Sequence, residues 1–183
     1  MKAPRLRWIA ADLTQVAECA RVATEAGLVD VLVHLVGGFA GGKPVPATDD
    51  ETWDRMMNLN LRPAFYMIRA VLPGMIKRKR GRILAVGSRT GAQPAATLSA
   101  YGASKAGLTS LIQAVALENT ENGITANVIL PSVIDTPVNR AAMPSMDHSK
   151  WVRPESIAKL LVWLASEDAS DVNGAAIPIY GRA

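Results

Sequence analysis

The 183-residue chain is poor in cysteine, in aromatics and in long apolar runs, and each scarcity closes off a class of protein. Its single cysteine, Cys19, cannot form an internal disulfide, so a disulfide scaffold is excluded and a reducing, cytoplasmic compartment is the expected setting. Within "VAECARVA" that cysteine reads as a small buried apolar residue. No apolar stretch approaches the ~20 residues of a membrane span, and no membrane association is expected. The opening "MKAPRLRWIAADL" meets Asp12 before an apolar segment can develop, so it does not read as a secretory signal. The net charge of +4 comes with no second basic stripe and no interleaved aromatics. Its main cluster, "KRKR" at 77–80, suits the solvated C-terminal end of a helix, and no nucleic-acid partner is expected.

What is present is a length suited to one domain, residues 1–183, and an ordinary globular balance of 49% hydrophobic and 20% charged residues. Short apolar runs alternate with helical patterns, which predicts βαβ units and a parallel sheet. The predicted strands are 5–11, 29–36, 81–88, 124–130 and 175–180. The middle three are apolar on both faces, as when helices cover both sides. Pro178 cannot donate to a ladder, which puts the last strand at an edge. Thr14 opens a helix that Gly27 closes, and Thr48 with Glu51 reads as a capping box. Pro63 predicts a break near Leu61, after which Phe65, Ile68, Leu72 and Ile76 make a helical stripe. Pro154 opens the last helix at a position where its missing donor costs nothing.

Chemistry concentrates in "SAYGASKAG". Tyr101 and Lys105 lie four apart, on one helix face with Leu108, Ile112 and Val115, so phenol and ammonium can share a pocket. A nearby ammonium favours the phenolate and draws a tyrosine pKa of about 10 towards the neutral range, as general acid/base catalysis requires. An amphipathic helix whose Tyr and Lys merely snorkel is the plain alternative for the pair alone. In open α/β sheets ligands gather beyond the carboxyl ends of strands. Ser88, Pro131 and Thr136 fall there, and Gly37 and Gly38 let a flat ligand approach the backbone.

Asn60 in "MMNLNLRP", Ser88 in "AVGSRTG" and Tyr101 and Lys105 in "YGASK" together resemble the Asn, Ser, Tyr, Lys tetrad of the short-chain dehydrogenases/reductases, and the resemblance runs from "AADLT" to "AAIPIYG". It implies a Rossmann-like α/β fold with a mostly parallel sheet flanked by helices, and hydride transfer with NADP or NAD. Tyr101 would be the acid/base, Ser88 would hold the substrate oxygen, Lys105 would lower the tyrosine pKa and bind the nicotinamide ribose, and Asn60 would position a relay water. Cofactor contacts would involve Asp12, Leu13, Leu35, Val36, Gly37, Tyr101, Lys105, Pro131, Ile134 and Thr136, with no metal. The implied substrate is a small carbonyl or secondary alcohol, the scaffold is most similar to 3-oxoacyl-thioester reductases, and the implied assembly is a homo-oligomer, dimer or tetramer. The segment 138–151 matches the family's substrate lid, where methionines and Trp151 suit a partly apolar substrate or a subunit neighbour.

The sequence departs from the family pattern in three places, one of them the family's Pro-Gly turn, which reads Pro131-Ser132. It opens inside what resembles the third strand, so the first two strands and the Gly-rich dinucleotide turn are missing. The family's Asn-Asn-Ala-Gly turn reads His34, Leu35, Val36, Gly37. His34 has no carboxylate or second ligand nearby in sequence and reads as a hydrogen-bonded structural residue. With two strands missing, either the 5–11 strand moves beside 29–36 or another chain covers that edge. Two further readings stay open: a cofactor-independent esterase using Ser88 or Tyr101, and a catalytically silent member that serves as an oligomerisation partner.

Overall fold

A computed structural model describes residues 6–182. Four parallel strands, β1 (Val31–His34), β2 (Gly81–Val86), β3 (Ile124–Pro131) and β4 (Ala176–Ile179), form one sheet in the order β1-β2-β3-β4. The helices are α1 (Val16–Ala26), α2 (Asp50–Asn60), α3 (Arg62–Arg78), α4 (Arg89–Ala92), α5 (Ser99–Glu118), α6 (Pro137–Ala142) and α7 (Pro154–Ala165). β2 and β3 are central and buried on both faces, with Arg82, Thr125 and Asn127 as buried polar residues among their apolar ones. Residues of α1, α3 and α5 pack on the face carrying Ile83, Ala85, Ala126 and Val128. α7 covers the opposite face through Ile157, Leu161 and Leu164 against Leu84 and Ile129. Each such fully buried Leu or Ile is worth about 1.5–3 kcal/mol over exposure.

Helix ends follow local chemistry. Gly27, at φ +74, closes α1 in a conformation that a side chain would strain. The cap of α2 is Asp49, which accepts from Thr52 N, and the expected Thr48–Glu51 box is replaced by this carboxylate one residue on. α2 and α3 part at Leu61, with Pro63 in the first turn of α3. The buried stripe of α3 is Ala64, Met67, Ile68, Val71 and Met75; Phe65 and Ile76 are exposed, because the 3.6-residue stripe is phased one position from the expected one. Pro154 opens α7, and β4 with Pro178 is an edge.

The N-terminal expectation fails. Arg5 lies outside the described residues, and 6–11 form no strand; Leu6 and Trp8 are 76% and 86% exposed. The segment is tied instead to α1, through Arg7 Nη1 to Glu25 O (2.8 Å) and Arg21 Nη2 to Ala10 O (2.7 Å). It therefore does not pair with β1, whose outer edge has no strand partner among the described residues and whose Val31 and Val33 are partly exposed. β1 thus lacks the two-sided cover its composition predicts. An apolar groove of about 410 Å³ runs beside it, lined by Val22, Ala26, Leu32, Met67 and Val71. No helix among the described residues is long and apolar enough to cross a membrane.

Candidate active site

Three strand ends and one helix build the site. β2 runs into Ser88, which caps α4 by accepting from Thr90 N at 3.2 Å, so the cap that starts a short helix also holds this hydroxyl at the carboxyl end of the sheet. α4 lies against α5 because residue 91 is glycine: a Cβ there would sit 2.9 Å from the Lys105 carbonyl carbon and 3.0 Å from Ala106 N. That close approach sets Ser88 beside the Tyr101 phenol, near enough to bear on its acidity. Phe39, from the loop after β1, stacks edge-on to Tyr101 with centroids 5.0 Å apart.

One turn further along α5, Lys105 is 6% exposed, and its Nζ donates to Val86 O at 3.0 Å. A Cβ at Gly37 would sit 2.7 Å from Asn60 Oδ1 and 3.1 Å from that Nζ, so glycine at the end of β1 keeps the space in front of the ammonium open. Asn60 is fully buried. Its Oδ1 accepts from Gly38 N (2.9 Å) and its Nδ2 donates to Ser104 Oγ (2.9 Å), which in turn donates to Tyr101 O (2.8 Å). Asn60 therefore fastens the loop after β1 to the first turns of α5. Asn60, Ser88, Tyr101 and Lys105 thus come together, and Gly91, Ser104 and Phe39 prove to be supports that the tetrad spacing does not reveal.

Electrostatics here differ from the simple pair argument. Burial pushes the Tyr101 phenol above its ordinary value, and the Ser88 hydrogen bond only partly offsets this. Burial also lowers Lys105, to about 8. One Lys105 N–H is held by Val86 O, and in this arrangement burial and Ser88, not the ammonium, set the direction of the tyrosine's shift. His34 is 3% exposed, and its Nε2 has no hydrogen-bond partner among the described residues, so the expected hydrogen-bonded structural histidine is not what the structure holds. Burial, followed by the charge of Lys105, pushes it down to about 4.

The expected cofactor contacts divide into two groups. Gly37 sits with Lys105, while Leu35 and Val36 emerge exposed from β1. Pro131 ends β3, Ile134 bridges to Val152, and Thr136 caps α6 by accepting from Asn139 N (3.2 Å). Asp12 instead serves its own turn, accepting from Thr14 N and Thr14 Oγ1 at 2.9 and 2.7 Å, and Leu13 packs on the core. Trp151 is buried, anchoring the 138–151 segment with its ring against His148. A separate cavity of about 230 Å³, lined by Lys43, Thr52, Arg55 and Ser99, lies by the start of α5. No group of three or more potential metal ligands occurs among the described residues.

The chain is 32% identical over 165 residues to the 3-oxoacyl-[acyl-carrier-protein] reductase FabG of Vibrio harveyi, covering 86% of this chain and 67% of that one. It is 31% identical to the D-beta-hydroxybutyrate dehydrogenase of Rhizobium meliloti, over 93% of this chain and 75% of the relative. A solved oxidoreductase of the short chain dehydrogenase/reductase family from Burkholderia thailandensis superposes with a TM-score of 0.84 at 32% identity, covering 94% of this chain and 71% of that one. The family model described as short chain dehydrogenase matches residues 2–147. On these matches, and on a parallel sheet whose strand ends gather the tetrad, the chain belongs to the short-chain dehydrogenase family.

Proposed function

We propose that this chain is an oxidoreductase that uses NADP or NAD to reduce a carbonyl or oxidise a secondary alcohol, with Tyr101 as the acid/base. The observation that carries the reading is the juxtaposition of the Ser88 hydroxyl and the Tyr101 phenol with a buried Lys105 one turn away, at the carboxyl ends of β1 and β2. A carbonyl oxygen that gains negative charge needs a proton and a hydrogen-bond donor at once. The Tyr101 hydroxyl supplies the proton and Ser88 holds the same oxygen. Lys105, mostly charged at neutral pH with its value at about 8, has further N–H groups beyond the one on Val86 O. Turned towards Tyr101, those donors favour the phenolate left behind.

The residues present fit the nicotinamide-ribose end of the cofactor. Gly37 leaves the space in front of the Lys105 ammonium open, and Ile134 and Thr136 follow the end of β3. When bound, the nicotinamide supplies the hydride that no side chain can. For the pyrophosphate end the sequence holds no Gly-rich strand-to-helix turn, and Asp12 is committed to its own turn. An esterase reading has less support: among the described residues neither histidine hydrogen-bonds Ser88 or Tyr101, His34 Nε2 having no partner and His148 Nε2 lying on Met143 O.

Titrating the purified chain with NADPH and NADH while following the melting transition tests the reading. Cofactor at 100 times its dissociation constant adds about 2.7 kcal/mol of stability. A transition that neither nucleotide moves at millimolar concentration removes the reading and leaves the silent oligomerisation partner. Tyr101→Phe abolishes carbonyl reduction with the melting temperature kept; retained turnover would remove Tyr101 from its role.

A further inference from the structure

A buried polar atom without a partner needs a reason, and His34 Nε2 is such an atom at the ligand-binding end of the sheet. His34 ends β1 and pairs in register with Ala85, so its side chain leaves on the face shared with Ile83 and Ala85, where α5 packs. The residue after Ala85 is Val86, whose carbonyl receives the Lys105 ammonium from α5. Imidazole and ammonium therefore enter the same space from β1 and α5, both almost wholly buried. Among the described residues Lys105 is the charged group that bears on His34, and Asn60, which lies with Lys105 about Gly37, is neutral. Two buried groups with spare hydrogen-bonding capacity, an acceptor nitrogen and N–H donors, satisfy each other best through one shared water.

We propose that His34 is a positioning residue for Lys105: its neutral Nε2 accepts a hydrogen bond relayed by one water from the Lys105 ammonium, which keeps that ammonium charged and held at the carboxyl ends of β1 and β2. A hydrogen bond to the charged form raises an amine's pKa, so the imidazole opposes the burial that pulls Lys105 down. An apolar side chain at this position would leave burial unopposed. Asparagine, with an acceptor oxygen at the corresponding height, would keep most of the effect. The inference rests on the oxidoreductase reading for its catalytic meaning, and its physical core is an interaction between two named side chains.

The test has two arms. In the first, imidazole nitrogen shifts of ¹⁵N-histidine protein are followed against pH for the wild type and Lys105→Met. Removing the ammonium raises the His34 midpoint by roughly half a unit or more; an unchanged midpoint overturns the proposal. In the second, carbonyl reduction is followed against pH. His34→Leu moves the alkaline limb to lower pH by a similar amount, roughly a three-fold loss of charged lysine at fixed pH, and His34→Asn brings it back. An alkaline limb identical in wild type and His34→Leu overturns the proposal. Should wild type reduce no carbonyl, the proposed function falls, and the nitrogen shifts alone decide the His34–Lys105 interaction. Should His34→Leu not fold, the Lys105→Met arm, which removes a buried charge, stands by itself.

Discussion

The buried neutral His34 makes the stability of the chain sensitive to mild acid. Its value falls from 6.5 in the unfolded chain to about 4 in the fold, chiefly through burial. Between those limits the unfolded state binds a proton that the folded state refuses, so stability is fully present above 6.5 and is lost as pH falls towards 4. At 1.36 kcal/mol per unit, the full loss is about 3 kcal/mol, of which about 2 kcal/mol has gone by roughly pH 5. The perturbation is His34→Asn, which cannot titrate, and the assay is urea unfolding of wild type and variant across this range. The difference between them isolates His34, because the lowered carboxylates of Asp12, Asp49 and Asp135 and the second histidine, His148, are common to both. Wild type should lose about 3 kcal/mol more than the variant. A difference that stays flat between 6.5 and 4 would refute the claim that His34 is held neutral inside the fold.

Lys105 drives a second pH dependence at the alkaline end. Its value is lowered from 10.5 to about 8, so the fold carries a burial penalty below 8 that disappears as pH rises to 10.5; stability should climb by up to about 3 kcal/mol across this window in wild type, and Lys105→Met should abolish the climb in the same unfolding series. Gly91→Ala places a methyl about 3 Å from the α5 backbone, so α4 must withdraw. Denaturation should show a cost of about 1–3 kcal/mol, and steady-state kinetics a lower kcat as Ser88 leaves Tyr101. Along the open β1 edge, Val33→Lys should suppress concentration-dependent association in analytical ultracentrifugation. An unchanged sedimentation profile would show that this edge takes no part in assembly.

Much of the architecture follows from local pattern. β2 and β3 are mostly apolar because both of their faces are covered, and that is written in adjacent residues. The Leu61 break, the Gly27 stop and the Pro154 start are single-residue effects of missing donors and permitted dihedrals, so sequence suffices for them. The Tyr101–Lys105 face is likewise a matter of helical period. "RLRWIAA" shows the limit: its strand propensity is real, but a strand needs a neighbour within hydrogen-bonding reach, and Arg7 and Arg21 hold the described part of the segment on α1 instead.

The fold class and the two-sided burial of the central strands are legible along the chain, because periodicity and turn residues are properties of neighbours; Asn60, Ser88, Tyr101 and Lys105 are named from a family resemblance. Only the tertiary structure decided that Gly91 sets the Ser88–Tyr101 approach, that Asn60 reaches Ser104 across 44 residues, that Lys105 rests on Val86 O, and that His34 is buried without a partner beside it. Those outcomes depend on how a helix packs on a sheet and on which polar atoms that packing removes from water. Burial, and with it the direction of every pKa shift in the site, is a property of the assembled layers.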